Sequence, residues 1–584
     1  MAKDRKQTAS YGDEGFSVFL RQAFARHMGH TKKDWEKPTI GICNTQSEVN
    51  RCHTHFGPII EAVKRGVLMG GGIPLEFPTI SLGESFTSPT TMMFRNLAAM
   101  DTEEMISAQP LDGVILIGGC DKMTPAQLMG AASADIPSIM ITGGGMDNGE
   151  YEGKTLGACS DCRYFWQEYR SGSVSEEELD DINQALAPSA GHCMVMGSAS
   201  TMAVVSEALG MMLPGGAATL ATDNRKLAEA QEAGKQIVKL VEEDIVPSDI
   251  MTEKAFDNAI RMIMAVGGST NAVIHLTAIA GRLGIKLPLS RFDTLGKDTP
   301  FIANLRPAGE YQMKEFSHAG GARAVMKELE TYLHTDVLTV TGRTLKENLA
   351  DITVSPNYRH VISPLSDPLH EGDGIAVLTG NIAPNGALIK PKAASASLFK
   401  HEGRAVVFES TADMEQKVND PDLDVEAEDI LVLKNTGPRG APGMPEAGML
   451  PIPKKLLEQG VRDMVRISDC RMSGTAFGTI VLHVSPESAV GGPFALVENG
   501  DTIRLDVEAR ELELLVDEAE LSRRREQFVP PQVGAERGYK KLFQEHVLQA
   551  DQGCDFDFLM PPALRSTAET ENGRVIQEEK TRGG

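Results

Sequence analysis

Three short apolar runs in the first quarter of the chain are bounded by Pro, Gly or Asn: PTIGICN (38–44), DGVILIGG (112–119) and PSIMITGGG (137–145). Runs of this length and punctuation predict buried strands. Helical patterns follow them. PAQLMGAASA comes directly after the second run, STMAVVSEALGMML starts at Ser200, and EKAFDNAIRMIMAVGG (253–268) ends in glycines that close a helix. Alternation of this kind over the first two-thirds of the chain predicts an α/β fold with a parallel sheet covered by helices.

The pattern changes near VSPNYRHVISPLSDPLHEGDG (354–374), which is rich in Pro, Ser, Asp and His and reads as a linker. Beyond it, short strands are predicted at close spacing: GIAVLTG, RAVVFES, DILVLKN, DMVRISD, TIVLHVS, FALVENG, DTIRLDV and RELELLV. Turn residues between them point to a sandwich or a barrel. The polar stretch after about Ala563 is predicted to fray. No fixed-period repeat is visible.

At 584 residues the chain exceeds what one hydrophobic core supports, so two or more domains are expected. The net charge of −24 argues against nucleic acid or an anionic membrane as the main partner. An anionic small substrate stays compatible with it, because a local cation or metal overrides the global field. The N-terminus shows no apolar signal core, and no apolar run approaches the roughly 18 residues of a membrane helix. A cytoplasmic location is therefore expected, in which the eight cysteines are reduced.

Reactive groups concentrate in four stretches. CNTQSEVNRCHTH carries Cys43, Cys52, His53 and His55 just past a strand; GGCDK carries Cys120, Asp121 and Lys122; GHCMVMGSASTM carries His192 and Cys193 before a helix. The fourth lies in the second half, where GPRGAPGMPEAG carries Glu446 and SDCRMSGTAFG carries Ser473 and Thr475. Open α/β sheets bind ligands at the carboxyl ends of their strands, so Cys52 and Cys120 can converge there. Thiolates suit iron–sulfur clusters or zinc, and a helix N-terminus near Cys193 favours its thiolate. The plainer alternative is that each cysteine is a small buried hydrophobe. Glu84, Asp121 and Glu446 are hard oxygen donors of the kind magnesium takes, although turn or surface roles serve such residues equally well. Cys159 and Cys162 form a C-x-x-C without the strand-to-helix context of a redox motif. The glycine clusters at 70–72 and 143–145 do not fit a dinucleotide fingerprint.

Taken together, GCDKMTP, CMVMGSASTM, GGSTNAVIHL, KNTGPRGAPGMPE and SDCRMSGTAFG resemble the dihydroxy-acid dehydratase/phosphogluconate dehydratase family of iron–sulfur dehydratases, in the family's order and over almost the whole chain. The resemblance implies an N-terminal α/β domain (1–365) and a C-terminal β-barrel-like domain (366–584), with the active site between them. It implies cluster ligands at Cys52, Cys120 and Cys193. It implies magnesium ligands at Glu84, Asp121, Glu446 and a carbamoylated Lys122, and a serine base at Ser473. The three-cysteine pattern implies a [2Fe–2S] cluster, with [4Fe–4S] also compatible. Homodimers or homotetramers are implied as well.

Within the family, MGSASTM differs from the MFTANSM-like loop of the branched-chain amino acid enzymes, and RMSGTA differs from their RFSGG. Both differences point to sugar-acid (aldonate) dehydratases, in which the threonine at the Thr475 position assists near the substrate. The alternative is dihydroxy-acid dehydratase, which acts on 2,3-dihydroxyisovalerate. Two readings from other classes are weaker. A non-catalytic iron–sulfur sensor predicts loss of Ser473 or of a magnesium ligand, and all are present. A thiol redox protein predicts a role for Cys159 and Cys162.

Overall fold

The computed structural model describes residues 13–158, 160–532 and 534–562. The predicted tail beyond Ala563 and Cys159 of the C-x-x-C lie outside these. Four parallel strands form the first sheet in the order β2-β1-β3-β4: β1 Thr39–Asn44, β2 Ile73–Pro78, β3 Gly113–Gly118 and β4 Ser138–Thr142. The three predicted runs thus become β1, β3 and β4, each trimmed at its Pro and Gly ends. Every residue of β3 and β4 is buried, as expected for parallel strands with helices on both faces.

Two helices on this sheet, Phe56–Gly70 and Arg225–Glu243, approach closely because both present glycine at the crossing. A Cβ on Gly66 would collide with the Gln231 carbonyl oxygen, and one on Gly234 with the Val63 carbonyl oxygen. Gly66→Ala is therefore expected to lower stability by about 1–3 kcal/mol through forced separation of the helices, read as a lower Tm.

The strand–helix alternation stops at β4. Apart from a hairpin of β5 (Gly149–Tyr151) and β6 (Lys154–Leu156), the chain from Ser160 to Leu349 is built of helices. The predicted linker is no free tether. Val361 and Ile362 are fully buried, and Ser363 donates to the Ile302 carbonyl at 2.9 Å.

The second half closes an eight-stranded barrel: β7 Ala376–Gly380, β8 Ala383–Ile389, β9 Lys400–Phe408, β10 Ile430–Leu433, β11 Arg466–Ser468, β12 Ile480–Ser485, β13 Thr502–Asp506 and β14 Glu511–Leu514, in the order β10-β11-β12-β8-β7-β14-β13-β9. Seven of the eight predicted runs supply strands. The eighth, FALVENG, does not. Pro493 opens a short 3-10 turn (Pro493–Leu496) that buries Phe494 and Leu496 as a plug for the barrel's apolar interior. Its place in the ladder is taken by β8, APNGALI, where Pro384 and Asn385 disguise the strand.

The barrel is fastened to the helical part by buried polar contacts. Lys390, at the end of β8, donates to the Gly267 carbonyl at 2.9 Å, and burial pushes its amine down to about 8. The C-terminal strap returns to the first half, where Arg95 donates to the carbonyls of Gly553 and Cys554 and Arg282 pairs with Asp555 at 2.5 Å. Among the described residues no helix is long and apolar enough to cross a membrane.

Candidate active site

The carboxyl ends of all four parallel strands feed one region. The turn after β3 places Cys120, Asp121 and Lys122 at the start of the helix Met123–Ala134, with Lys122 as its N-cap residue. The loop after β1 brings Cys52 against it. The Cys120 thiol is held well above its usual range, first by its hydrogen bond with the Cys52 thiol, then by burial and the adjacent Asp121. His53 ties the two turns together. Its Nε2 accepts the Cys120 N–H at 2.8 Å, while Nδ1 lies 2.8 Å from the Thr45 carbonyl. Burial lowers the His53 ring to about 3, so it is neutral, with Nδ1–H as donor and Nε2 as acceptor.

The third cysteine arrives on the loop between the helices Glu176–Ala185 and Ser198–Ala208, which folds back to the end of β4. The His192 N–H donates to Gly144, and the His192 carbonyl accepts from Met146, so Cys193 is pinned beside the glycines that follow the strand. Those glycines also receive His55, whose Nε2 lies 2.9 Å from the Gly143 carbonyl. The helix after Cys193, Ser198–Ala208, starts at Gly197, four residues past the thiol.

Lys122 is fully buried and sits among three carboxylates. Its Nζ pairs closely with Asp121 and lies 3.6 Å from Glu446 and 3.7 Å from Glu84. Glu84 follows β2, and Glu446 comes from the loop after β10, so this cluster joins the two halves of the chain. Burial works against ionising Glu84, but Lys122, Arg471 and the hydroxyls of Thr90 and Thr91 outweigh it and hold the carboxyl down to about 2. Burial likewise opposes the Lys122 ammonium, and Asp121 and the two glutamates overcome it, so the amine titrates above its usual value.

The barrel supplies the lid of the site. Arg471 is fully buried and bridges the halves, donating to Glu446 Oε1 at 3.0 Å and to Thr90 Oγ1 at 3.1 Å. Beside it, Ser473 is half-buried, and its Oγ lies 2.8 Å from Thr475 Oγ1. The serine loop presses onto the Cys193 side. Thr475 Cγ2 occupies the space a side chain on Gly197 would need, and Gly474 lies against Ser269 and the Ser198 N–H. Asn271 stitches this seam, donating through Nδ2 to Ser198 Oγ at 2.9 Å and to Glu446 Oε1 and the Met472 carbonyl at 3.2 Å.

The structure brings the expected residues together in three groups. Cys52 meets Cys120, the carboxylates of Glu84, Asp121 and Glu446 surround Lys122, and Ser473 pairs with Thr475 beside the Cys193 loop. Cys162 lies elsewhere, lining a groove of about 430 Å³ with Phe165, Trp166 and Leu179. Cys470 is a core residue, accepting from Ser468 Oγ at 3.1 Å, and burial pushes its thiol up to about 12. Sequence reasoning missed Asn271, Arg471 and the Thr90–Thr91 pair. Asn271 had a signal, since GGSTN marks one helix ending and the next beginning within a few residues.

Soft thiols lie on one side and hard carboxylates on the other, which are the donor types that soft and hard metal ions take. Among the described residues no three His, Cys, Asp or Glu side chains already close into a ligand set. The carboxylates converge on the Lys122 ammonium instead. With Arg471 counted, the cluster still carries one more negative than positive charge, which suits a divalent cation.

Comparison with known proteins gives the family. Residues 37–348 match the family model for the dihydroxy-acid/6-phosphogluconate dehydratase N-terminal region, and residues 360–554 match the C-terminal one. The L-arabinonate dehydratase of Rhizobium leguminosarum bv. trifolii is 48% identical over 94% of this chain and 95% of its own. The 6-deoxy-6-sulfo-D-gluconate dehydratase of Pseudomonas putida is 46% identical over 94% and 95%. The dihydroxy-acid dehydratase of Ignicoccus hospitalis is 39% identical over 93% and 99%. The protein is a dehydratase, an enzyme of the hydro-lyase class. It belongs to the dihydroxy-acid/6-phosphogluconate dehydratase family.

Proposed function

We propose that this enzyme removes water from a sugar acid, converting a 2,3-dihydroxy carboxylate into the 2-keto-3-deoxy acid. The observation that carries the reading is the seam at which Glu84, Asp121 and Lys122 of the sheet meet Glu446 and Ser473 of the barrel, beside the Cys52–Cys120 contact. The greater identity to sugar-acid dehydratases than to a dihydroxy-acid dehydratase supports the substrate class.

Cys52, Cys120 and Cys193 would hold an iron–sulfur cluster, read as [2Fe–2S]. Glu84, Asp121, Glu446 and Lys122 would hold Mg²⁺, with Lys122 carbamoylated so that an ammonium becomes an anionic oxygen donor. Bound there, the two centres would supply Lewis acidity to the substrate's oxygens.

The chain's own residues do the rest. Ser473 Oγ, as an alkoxide, takes the C2 proton, and the electron pair left at C2 forms the C2–C3 double bond as the C3–O bond breaks; the proton held on Ser473 passes to the departing hydroxide, so that water leaves and the alkoxide is regenerated. The resulting enol tautomerises to the ketone. An ordinary serine hydroxyl is far too weak a base at neutral pH, so positive charge at the seam must stabilise its deprotonated form. Thr475, 2.8 Å away, donates to Ser473 Oγ and fixes its direction. Asn271 holds the loop's backbone at Met472, so the base is positioned from both halves. Such an enzyme works as a homodimer or homotetramer in the cytoplasm.

The test is 2-keto acid formation by anaerobically purified, magnesium-supplemented protein. The panel holds L-arabinonate, xylonate, galactonate, fuconate, gluconate and 2,3-dihydroxyisovalerate. Turnover confined to one or two aldonates is expected. Turnover dominated by 2,3-dihydroxyisovalerate would overturn the substrate class in favour of the amino-acid enzyme.

A further inference from the structure

The helix Ser160–Ser171 carries an arginine that the chemistry above does not use. Its entry segment packs on the Cys193 loop. The Ala158 N–H lies 2.9 Å from Met194 Sδ, and Ala158, Met194 and Val195 share one small apolar cluster that Cys193 packs against. Toward its other end, Arg170 donates to the Ile452 carbonyl at 3.2 Å. The helix thus lies across the seam between the two halves.

Arg163 sits within the first turn of this helix. Its Nη1 points at Met449 Sδ, 3.6 Å away, and a thioether is a weak acceptor. Met449 stands three residues past Glu446 and packs against Met472 and Ala476, which flank the Ser473 loop. Arg163 Nε is buried with no hydrogen-bond partner, and among the described residues no carboxylate pairs with this guanidinium. Other arginines at the seam are satisfied: Arg306 pairs with Asp161 at 2.6 Å, Arg466 with Asp463 at 2.7 Å and Arg471 with Glu446 at 3.0 Å. Unmet donors in a desolvated place are costly unless a ligand meets them.

Resting on the sugar-acid reading above, we infer that Arg163 is a specificity residue, whose unmet Nε–H and weakly engaged Nη1 receive the acceptor oxygens at the end of the sugar acid distal to its carboxylate. The thiols, carboxylates and Ser473 engage carbons 1 to 3. Arg163, whose Nη1 lies beside Met449 three residues past Glu446, is placed for the carbons beyond. A site built around an unmet donor also rejects a substrate whose tail is hydrocarbon, because binding such a tail leaves the buried Nε–H unpaired. This gives a physical reason for discriminating against 2,3-dihydroxyisovalerate.

The experiment is steady-state kinetics of the wild type, Arg163→Met and Arg163→Lys on L-arabinonate, 6-deoxy-6-sulfo-D-gluconate and 2,3-dihydroxyisovalerate, with visible spectrum and Tm as controls for folding and cofactor content. Arg163→Met is expected to lower kcat/KM on the sugar acids by about 10- to 100-fold, mainly through KM, and to leave activity on 2,3-dihydroxyisovalerate unchanged or raised. A greater loss on the sulfonate than on arabinonate, with partial rescue by Lys, assigns an anionic tail; an equal loss without rescue assigns hydroxyl recognition. Arg163→Lys, which keeps the charge and most of the stem, carries the test if Arg163→Met does not fold. Equal losses on all three acids, or no change on any, would overturn the inference while the sugar-acid reading stands on the wild-type rates. A wild type inactive on both sugar acids overturns the two together.

Discussion

Replacing Ser473 with alanine is expected to reduce kcat by about a thousand-fold, the usual weight of a positioned acid–base group, while KM changes little. The structure explains why the loss should be confined to chemistry. The neighbours Met472 and Ala476 hold the loop in the core, Gly474 lies against Ser269, and the Met472 carbonyl accepts from Asn271 at 3.2 Å. Ser473 Oγ itself is half-buried, and among the described residues its side-chain hydrogen bond is to Thr475. Its removal should therefore leave the fold, the iron content and the visible absorbance as in the wild type. The measurement is the rate of 2-keto acid release, with iron quantified on the same sample. Full activity in Ser473→Ala would show that another group removes the C2 proton.

The second large effect is at Cys120. Cys120→Ser is expected to abolish visible absorbance, most bound iron and measurable turnover, because a hydroxyl is a poor ligand for iron–sulfur centres. The backbone of the turn should survive, since the Cys120 N–H donates to His53 Nε2 whatever the side chain. The far-UV circular dichroism should therefore be retained. Cys470→Ala is the matching control. That thiol packs among Val406, Leu431 and Leu450 in a cluster on the barrel's flank, so its loss should cost about 1 kcal/mol and leave the colour intact. If Cys120→Ser kept its iron, the thiol contact with Cys52 would be a packing feature and the cluster would need other ligands.

Much of this was legible along the chain. β1, β3 and β4 are continuous apolar runs because both of their faces are covered, and such runs need no tertiary information to be seen. The seven correct barrel strands were visible for a similar reason, with an apolar interior and turn residues at each end. The exchange of FALVENG for β8 shows the limit. Phe494 and Leu496 are apolar because they plug the barrel, and the pattern of a plug is the pattern of a strand. Pro384 and Asn385 are tolerated in β8 where the strand bends, at a position that only the pairing with β7 and β12 reveals.

The site divides in the same way. The sequence by itself determined which side chains are candidates for the chemistry, because thiols, carboxylates and a serine set in glycine-rich turns after apolar strands are local features. Local features leave a mark within a few residues. It also determined that Cys120, Asp121 and Lys122 share one turn. Only the tertiary structure decided that Glu446 reaches Lys122 across more than 300 residues of chain, that Arg471 and Asn271 weld the seam, and that Arg163 Nε is left without a partner there. These depend on distances between segments remote in sequence. They depend too on the desolvation that makes an unpaired charge costly, and burial exists only once the sheet and the barrel have closed on each other.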